Sequence, residues 1–277
     1  VADVNRIFGD DKIALPMGME NGAPILDDLS NVAYFHKRGI RYVTLTHAKD
    51  NLICDSSYDT TGTWGGLSPF GREVVKEMNR VGIMVDISHV TDDVINQVLD
   101  MTEVPVIASH SSCRHFTPGW ERNMGDAEIK RLKDNGGVIQ INYGSSFITR
   151  VSQNKSKTNS EKIEAYAKEN GLEDGDEIFI AYAKKVNEEN PIYADITEVV
   201  DHIDRVVELA GIDHVGIGSD YDGVGDSLPY GLKDVTSYPN LIFHLLKRGY
   251  SENDIEKICY KNIWRVWSTV EKTAADS

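Results

Sequence analysis

Cysteine is scarce. Only Cys54, Cys113 and Cys259 occur in 277 residues, widely spaced and without a CxxC pair, which argues against both a disulfide framework and a zinc knuckle. Positive charge is also short. Twenty-nine Lys and Arg stand against 44 Asp and Glu, a formal charge of −15, and so acidic a chain disfavours nucleic acid and anionic membranes as partners. No apolar run approaches the roughly 18 residues of a membrane span, and no signal-peptide pattern is visible. The chain opens on Val1 rather than Met, which leaves room for an upstream segment. No GxGxxG turn follows an early strand, so a dinucleotide-binding reading lacks its fingerprint.

What is present is an ordinary globular composition, 40% hydrophobic and 26% charged, arranged as strand-like runs alternating with helix-like runs. Strands are expected at 12–20, 40–47, 83–89, 104–110, 137–143 and 214–220. Helices are expected at about 26–38, from Pro69 behind the N-cap Ser68 to Gly82, behind Thr91, from Asp126 to Gly136, and at about 197–210. The polar stretch 150–195 reads as a helical insertion, and 237–273 as helical in three pieces. This alternation implies an α/β fold with a parallel sheet, either barrel or open doubly wound, forming one domain over 1–277.

The strand ends carry the chemistry. They run Glu20, His47, His89, His110, Tyr143 and Asp220, each a polar or ionisable residue directly after an apolar run. In a parallel barrel the C-terminal strand ends share one face, where active sites sit. A lone histidine there is more often a satisfied structural residue. Three histidines, a Glu and an Asp at equivalent positions are harder to explain that way, and imidazole and carboxylate together suit zinc and similar divalent ions. Two such ions can hold a hydroxide that attacks an amide, ester or phosphate. His36, His244 and His202 fall in helix patterns, His115 in a loop and His214 at the opposite end of a strand, so none is expected to be a ligand.

These residues lie in longer motifs: "GMENG" at 18–22, "RYVTLTH" at 41–47, "GLSPFGREVVKEMNRVGIMVDISHV" at 66–90, "PVIASHSS" at 105–112, "RN" at 122–123, "VGIGSDYDGV" at 215–224 and the segment 231–266. Together they resemble the membrane (renal) dipeptidase family of zinc peptidases, over nearly the whole chain except 150–195. The resemblance implies a TIM-type (β/α)8 barrel with a binuclear zinc site. It implies Glu20 as the carboxylate bridging both metals, His89 and His110 as ligands of the second zinc, and His47 as the contact to the substrate carbonyl and its oxyanion. Arg122 would hold the substrate's terminal carboxylate, and Asp220 would relay a proton to the leaving amine. The substrates implied are dipeptides, including those with a C-terminal D-residue, and some β-lactams, cleaved through a metal-bridging hydroxide.

The chain departs from that pattern in three places. The HxD motif that holds the first zinc is absent from any strand, six strands are found where the barrel has eight, and Phe147 stands where the family tends to carry a tyrosine. The first two βα units are therefore expected to be missing. Two alternatives follow: a catalytically incomplete C-terminal fragment or subunit that needs an HxD-bearing segment, or another binuclear amidohydrolase. Arg122 facing the metal site would favour the dipeptidase over the latter. Homodimerisation or association with an N-terminal segment is expected, and the resemblance suggests an exported, periplasmic or cell-surface location.

Overall fold

The computed structural model describes residues 1–276. Its centre is one parallel sheet of six strands: β1 (Met17–Glu20), β2 (Ile40–Thr44), β3 (Met84–Asp86), β4 (Ile107–Ser111), β5 (Val138–Ile141) and β6 (Val215–Ile217). Their spatial order is the chain order, β1 to β6, with every neighbouring pair parallel. A doubly wound sheet reverses its strand order at a switch point, whereas a barrel does not. The fold is thus six strands of a TIM-type barrel, left open with β1 and β6 as its edges.

Strand alternation gives the sheet two different faces. Val43, Val85, Ala108, Ile139 and Val215 point to the covering helices and form the main core with residues such as Val74, Met78, Val98, Leu132 and Ile203. Met84, Ile107 and Val138 point the other way and pack with Val266, Trp267 and Val270 of the last helix, Asn262–Asp276, and with Val4. The final helix therefore packs against this second set of sheet residues. No described helix is long and apolar enough to cross a membrane.

Local chemistry fixes the helix ends. Ser68 accepts a hydrogen bond from the Gly71 amide at 2.8 Å, and Pro69 follows as the first helical residue of Pro69–Val81. Gly82 ends that helix at φ 90°, a conformation that costs glycine little. Thr91 caps Asp92–Met101, and Asp195 forms a capping box with Glu198 on Ile196–Ala210. Helices Arg150–Asn170 and Glu177–Glu189 occupy most of the polar stretch.

The strands are shorter than the apolar runs suggested. β1 begins at Met17, since Pro16 offers no ladder donor, and Ile13 and Leu15 stay exposed. The first full helix on this side is Ser30–Lys37, preceded by a 3-10 turn at Ala23–Ile25.

His202 is structural. Fully buried, it accepts at Nδ1 from the Cys113 amide (3.0 Å) and donates from Nε2 to the Ile148 carbonyl (2.9 Å), joining three segments. That pairing requires the neutral ring, and burial pulls its pKa down to about 4. An unfolded chain binds a proton at this ring below about pH 6.5, so its stabilising contribution is full near pH 7 and is lost as pH falls from about 6.5 towards 4. Urea unfolding at pH 7 and pH 5 is expected to show a stability loss about 2 kcal/mol larger in the native chain than in His202→Gln. Equal losses would place the acid sensitivity elsewhere.

Candidate active site

Register brings the site together. Glu20 pairs with Thr44, Thr44 with Asp86, and Asp86 with Ile107. His47, His89 and His110 each lie three residues beyond one of these level positions, so three histidines distant in sequence arrive at one height beside Glu20. His110 is still within β4, whereas His47, His89 and Asp220 sit just past their strand ends.

The Nε2 atoms of His89, His110 and His47 lie 3.0, 3.2 and 3.5 Å from Oε1 of Glu20. The Nε2 atoms of His89 and His110 are 2.8 Å apart. His89 and His110 are largely shielded, while His47 and Glu20 remain half-exposed at the mouth. Burial lowers the His89 pKa to about 4, leaving its ring uncharged at neutral pH.

His89 and Asp220 also have left-handed backbones, φ 71° and 54°, as does Asn21 after Glu20 (φ 81°). Such conformations are uncommon outside glycine and concentrate where function fixes the chain.

The donor set fits a divalent cation. Bonds of about 2.0–2.1 Å to tetrahedral zinc spread neighbouring ligand atoms about 3.3 Å apart, and the observed separations of 2.8–3.5 Å bracket that value. Glu20, His47 and His89 each offer one atom within 4.8 Å of the others. Among the described residues, no Lys or Arg forms an ion pair with Glu20.

A cavity of about 580 Å³ opens beside these donors, and Glu20, His47, Tyr58, His89, Arg122, Phe147 and Asp220 line it. Arg122 is its anomaly. The side chain is buried at 3% exposure, yet among the described residues no carboxylate forms an ion pair with it. It donates to Ser111 Oγ and to the His110 carbonyl, both at 2.9 Å, while its Nε has no partner. The Phe147 ring lies 5.0 Å from its guanidinium carbon, so the phenylalanine offers a π face to the cation where a tyrosine was expected. A buried cation with spare donors and no counter-ion is costly and is suited to an anionic ligand.

Asp220 has one committed oxygen. Its Oδ2 accepts from Asn142 Nδ2 at 2.9 Å, and the Asn142 amide is oriented because its Oδ1 accepts from the Gly144 amide at 2.7 Å. A Cβ on Gly223 would stand 2.0 Å from Asp220 Oδ1, so the glycine keeps that second oxygen free to face the cavity. Asp222 is exposed and belongs to the turn.

Tyr143 departs from the expected convergence. Its side chain is fully buried in the core, edge-on to Tyr221, and burial raises its phenol pKa far above the usual range. It sits two residues past the end of β5, where strand alternation no longer sets the direction of its side chain. The five histidines expected to be structural lie outside the Glu20 cluster.

Sequence reading missed Tyr58 and Trp120, which pack edge-on to one another at 6.2 Å, and Trp120 reaches Phe147 at 4.9 Å. Both come from loops with no periodic signal. Asp86 was visible as the one charge within an apolar strand, but no sequence pattern assigned it a partner.

Comparison with known proteins bears on the family and the fold. The sequence model of the membrane dipeptidase family (peptidase family M19) matches residues 1–277. The chain is 38% identical over 273 residues to the dipeptidase tcpJ of Claviceps purpurea, covering 99% of this chain and 55% of that protein. It superposes on the crystal structure of the probable dipeptidase PvdM from Pseudomonas aeruginosa with a TM-score of 0.84 at 32% identity, covering 99% of this chain and 73% of the other. It also resembles dipeptidase AC, described as a metallo peptidase, at 25% identity and a TM-score of 0.76 over 97% of this chain and 67% of that one. The chain spans about half the length of the curated relatives it matches.

Proposed function

The chain belongs to the membrane dipeptidase family, peptidase family M19, and from that premise we propose that it acts in the zinc-dependent hydrolysis of dipeptides. The observation that carries this reading is the unpaired, buried Arg122 in the same cavity wall as the Glu20–His89 donors. A planar guanidinium with free donors suits a carboxylate. If it holds the free C-terminus, the scissile amide one residue away reaches the histidine cluster, and a substrate without that carboxylate loses its anchor.

Glu20, His89 and His110 would hold the metal. Zinc there supplies Lewis acidity towards a carbonyl and lowers the pKa of water. His47, half-exposed at the mouth, faces the carbonyl oxygen of the bound substrate. Asp220 takes a proton on its free oxygen and delivers it to the departing amine, while Asn142 fixes its orientation. Phe147, Tyr58 and Trp120 exclude water around the Arg122 end. A carboxylate next to an amide is also present in dipeptides ending in a D-residue and in β-lactams, which belong to the same substrate class.

The test compares zinc-supplemented protein on a dipeptide, its C-terminal amide and a tripeptide. Turnover of the dipeptide alone is expected, and equal turnover of all three would defeat the assignment. Asp220→Asn is expected to lower kcat by about 10²–10⁴-fold with little change in KM or zinc content. Unchanged kcat would remove Asp220 from the proton path.

A second reading is favoured by the open sheet edges and the exposed Ile13, Leu15 and Met17 beside β1: the active enzyme requires another segment that brings the ligands of a second metal. Zinc content separates the two. Two ions per chain with dipeptide turnover support the first reading, and one ion without turnover supports the second.

A further inference from the structure

Asp86 is a fully buried carboxylate on β3 with only neutral partners around it. Its Oδ2 accepts from Thr44 Oγ1 at 2.5 Å and from Ser109 Oγ at 2.6 Å. Its Oδ1 accepts from the backbone amides of Ser88 (3.0 Å) and Ser109 (2.9 Å). A carboxylate only accepts hydrogen bonds, and a serine hydroxyl has one hydrogen to give. Ser109 gives that hydrogen to Asp86. Yet Ser109 Oγ also lies 2.7 Å from His110 Nδ1. At that contact the oxygen must accept, and the hydrogen must sit on Nδ1.

We propose that Asp86, acting through Ser109, is a positioning residue that sets the ring tautomer of His110. With Nδ1 protonated, the neutral ring carries its lone pair on Nε2, the atom 3.2 Å from Glu20 Oε1 and 2.8 Å from His89 Nε2. Two acceptors, Nε2 and Oε1, are thus held face to face, an arrangement that favours a cation between them. His89 has no such device, since its Nδ1 is buried without a partner. His110 is the pre-set donor of the pair, and His89 is the one whose proton must move when a cation enters. Asp86 is the only charged residue in β3, and its burial among neutral donors is explained by this relay.

The inference rests on the reading of Glu20, His89 and His110 as metal donors, and its test has a readout independent of that reading. Long-range proton–nitrogen correlation spectra of the full chain, with ¹⁵N-labelled histidine at neutral pH and no added zinc, are expected to show His110 protonated at Nδ1. Ser109→Ala should move His110 towards the Nε2-protonated form and weaken zinc binding by about 10–100-fold in a competition titration. Ser109→Thr, which keeps the hydroxyl, should preserve both properties, and circular dichroism checks that each variant is folded. An Nε2-protonated His110 in the native chain, or a Ser109→Ala variant with unchanged tautomer or unchanged zinc affinity, overturns the proposal. If no protein in the set binds zinc, the metal reading fails and the relay to a metal donor fails with it. A His110 tautomer that still follows the Ser109 hydroxyl would then show that the hydrogen-bond chain itself was read correctly.

Discussion

Arg122→Met is expected to reduce kcat/KM for a dipeptide by roughly 30- to 3,000-fold, the range set by truncating one partner of a buried, hydrogen-bonded charge pair. The C-terminal amide of the same dipeptide, which lacks the anionic partner, should lose far less. Stability should respond in the opposite sense. In the free protein Arg122 is buried, unpaired by any carboxylate, and bears an Nε without an acceptor. Burial pulls its pKa below the usual guanidinium range, although the group stays charged. Methionine removes the desolvated charge and keeps an unbranched apolar side chain in its place, and replacing buried ionic groups by apolar ones of similar volume is often neutral or stabilising. The expected result is an enzyme that melts at the same or a higher temperature while losing its dipeptide preference. A variant that melts well below the native chain and loses activity on the acid and the amide alike would identify Arg122 as a structural residue, with Ser111 and the His110 carbonyl as its purpose.

The sequence made the parts of the site legible where strand grammar applies. Glu20, His47, His89, His110 and Asp220 each follow an apolar run, and parallel pairing turns that position into proximity. The register Glu20–Thr44–Asp86–Ile107 is what lifts the three histidines to one height. Periodicity could not separate Tyr143 from this group, because it lies beyond β5, where the alternation of the apolar run no longer sets side-chain direction. Strand lengths were overestimated for a related reason. An apolar residue past the assigned strand end, such as Leu45 or Ile87, is as buried as one within the strand and still donates one backbone bond to the neighbouring strand, so burial does not mark where regular pairing stops. The loops were opaque. Tyr58 and Trp120 meet across some sixty residues with no signal in common, and the partners of Asp86 come from three different strands or their ends.

Glu20→Gln tests the metal centre with the smallest change of shape. The amide retains the size of the carboxylate but loses its charge, leaving neutral donors around the cation. Zinc affinity is expected to fall by more than the roughly 10–100-fold typical of outer-sphere partners. Thermal unfolding reads this directly, because a ligand that binds only the folded state stabilises it by RT ln(1 + [L]/Kd). At a zinc concentration about 100 times the native Kd, the native chain should gain about 2.7 kcal/mol, a rise in Tm of roughly 5 °C for a chain of this length. At the same zinc concentration the variant, with its Kd raised about 100-fold or more, should gain at most about 0.4 kcal/mol, less than a degree. Without zinc the two proteins should melt close together, since Glu20 is half-exposed and contacts only imidazoles as ion-pair partners. The comparison therefore isolates the cation from the fold. An equal zinc-induced rise in both proteins would show that Glu20 is not a ligand and that the metal is held by the histidines alone. A large difference without zinc would show instead that the carboxylate holds the three strand ends together by itself.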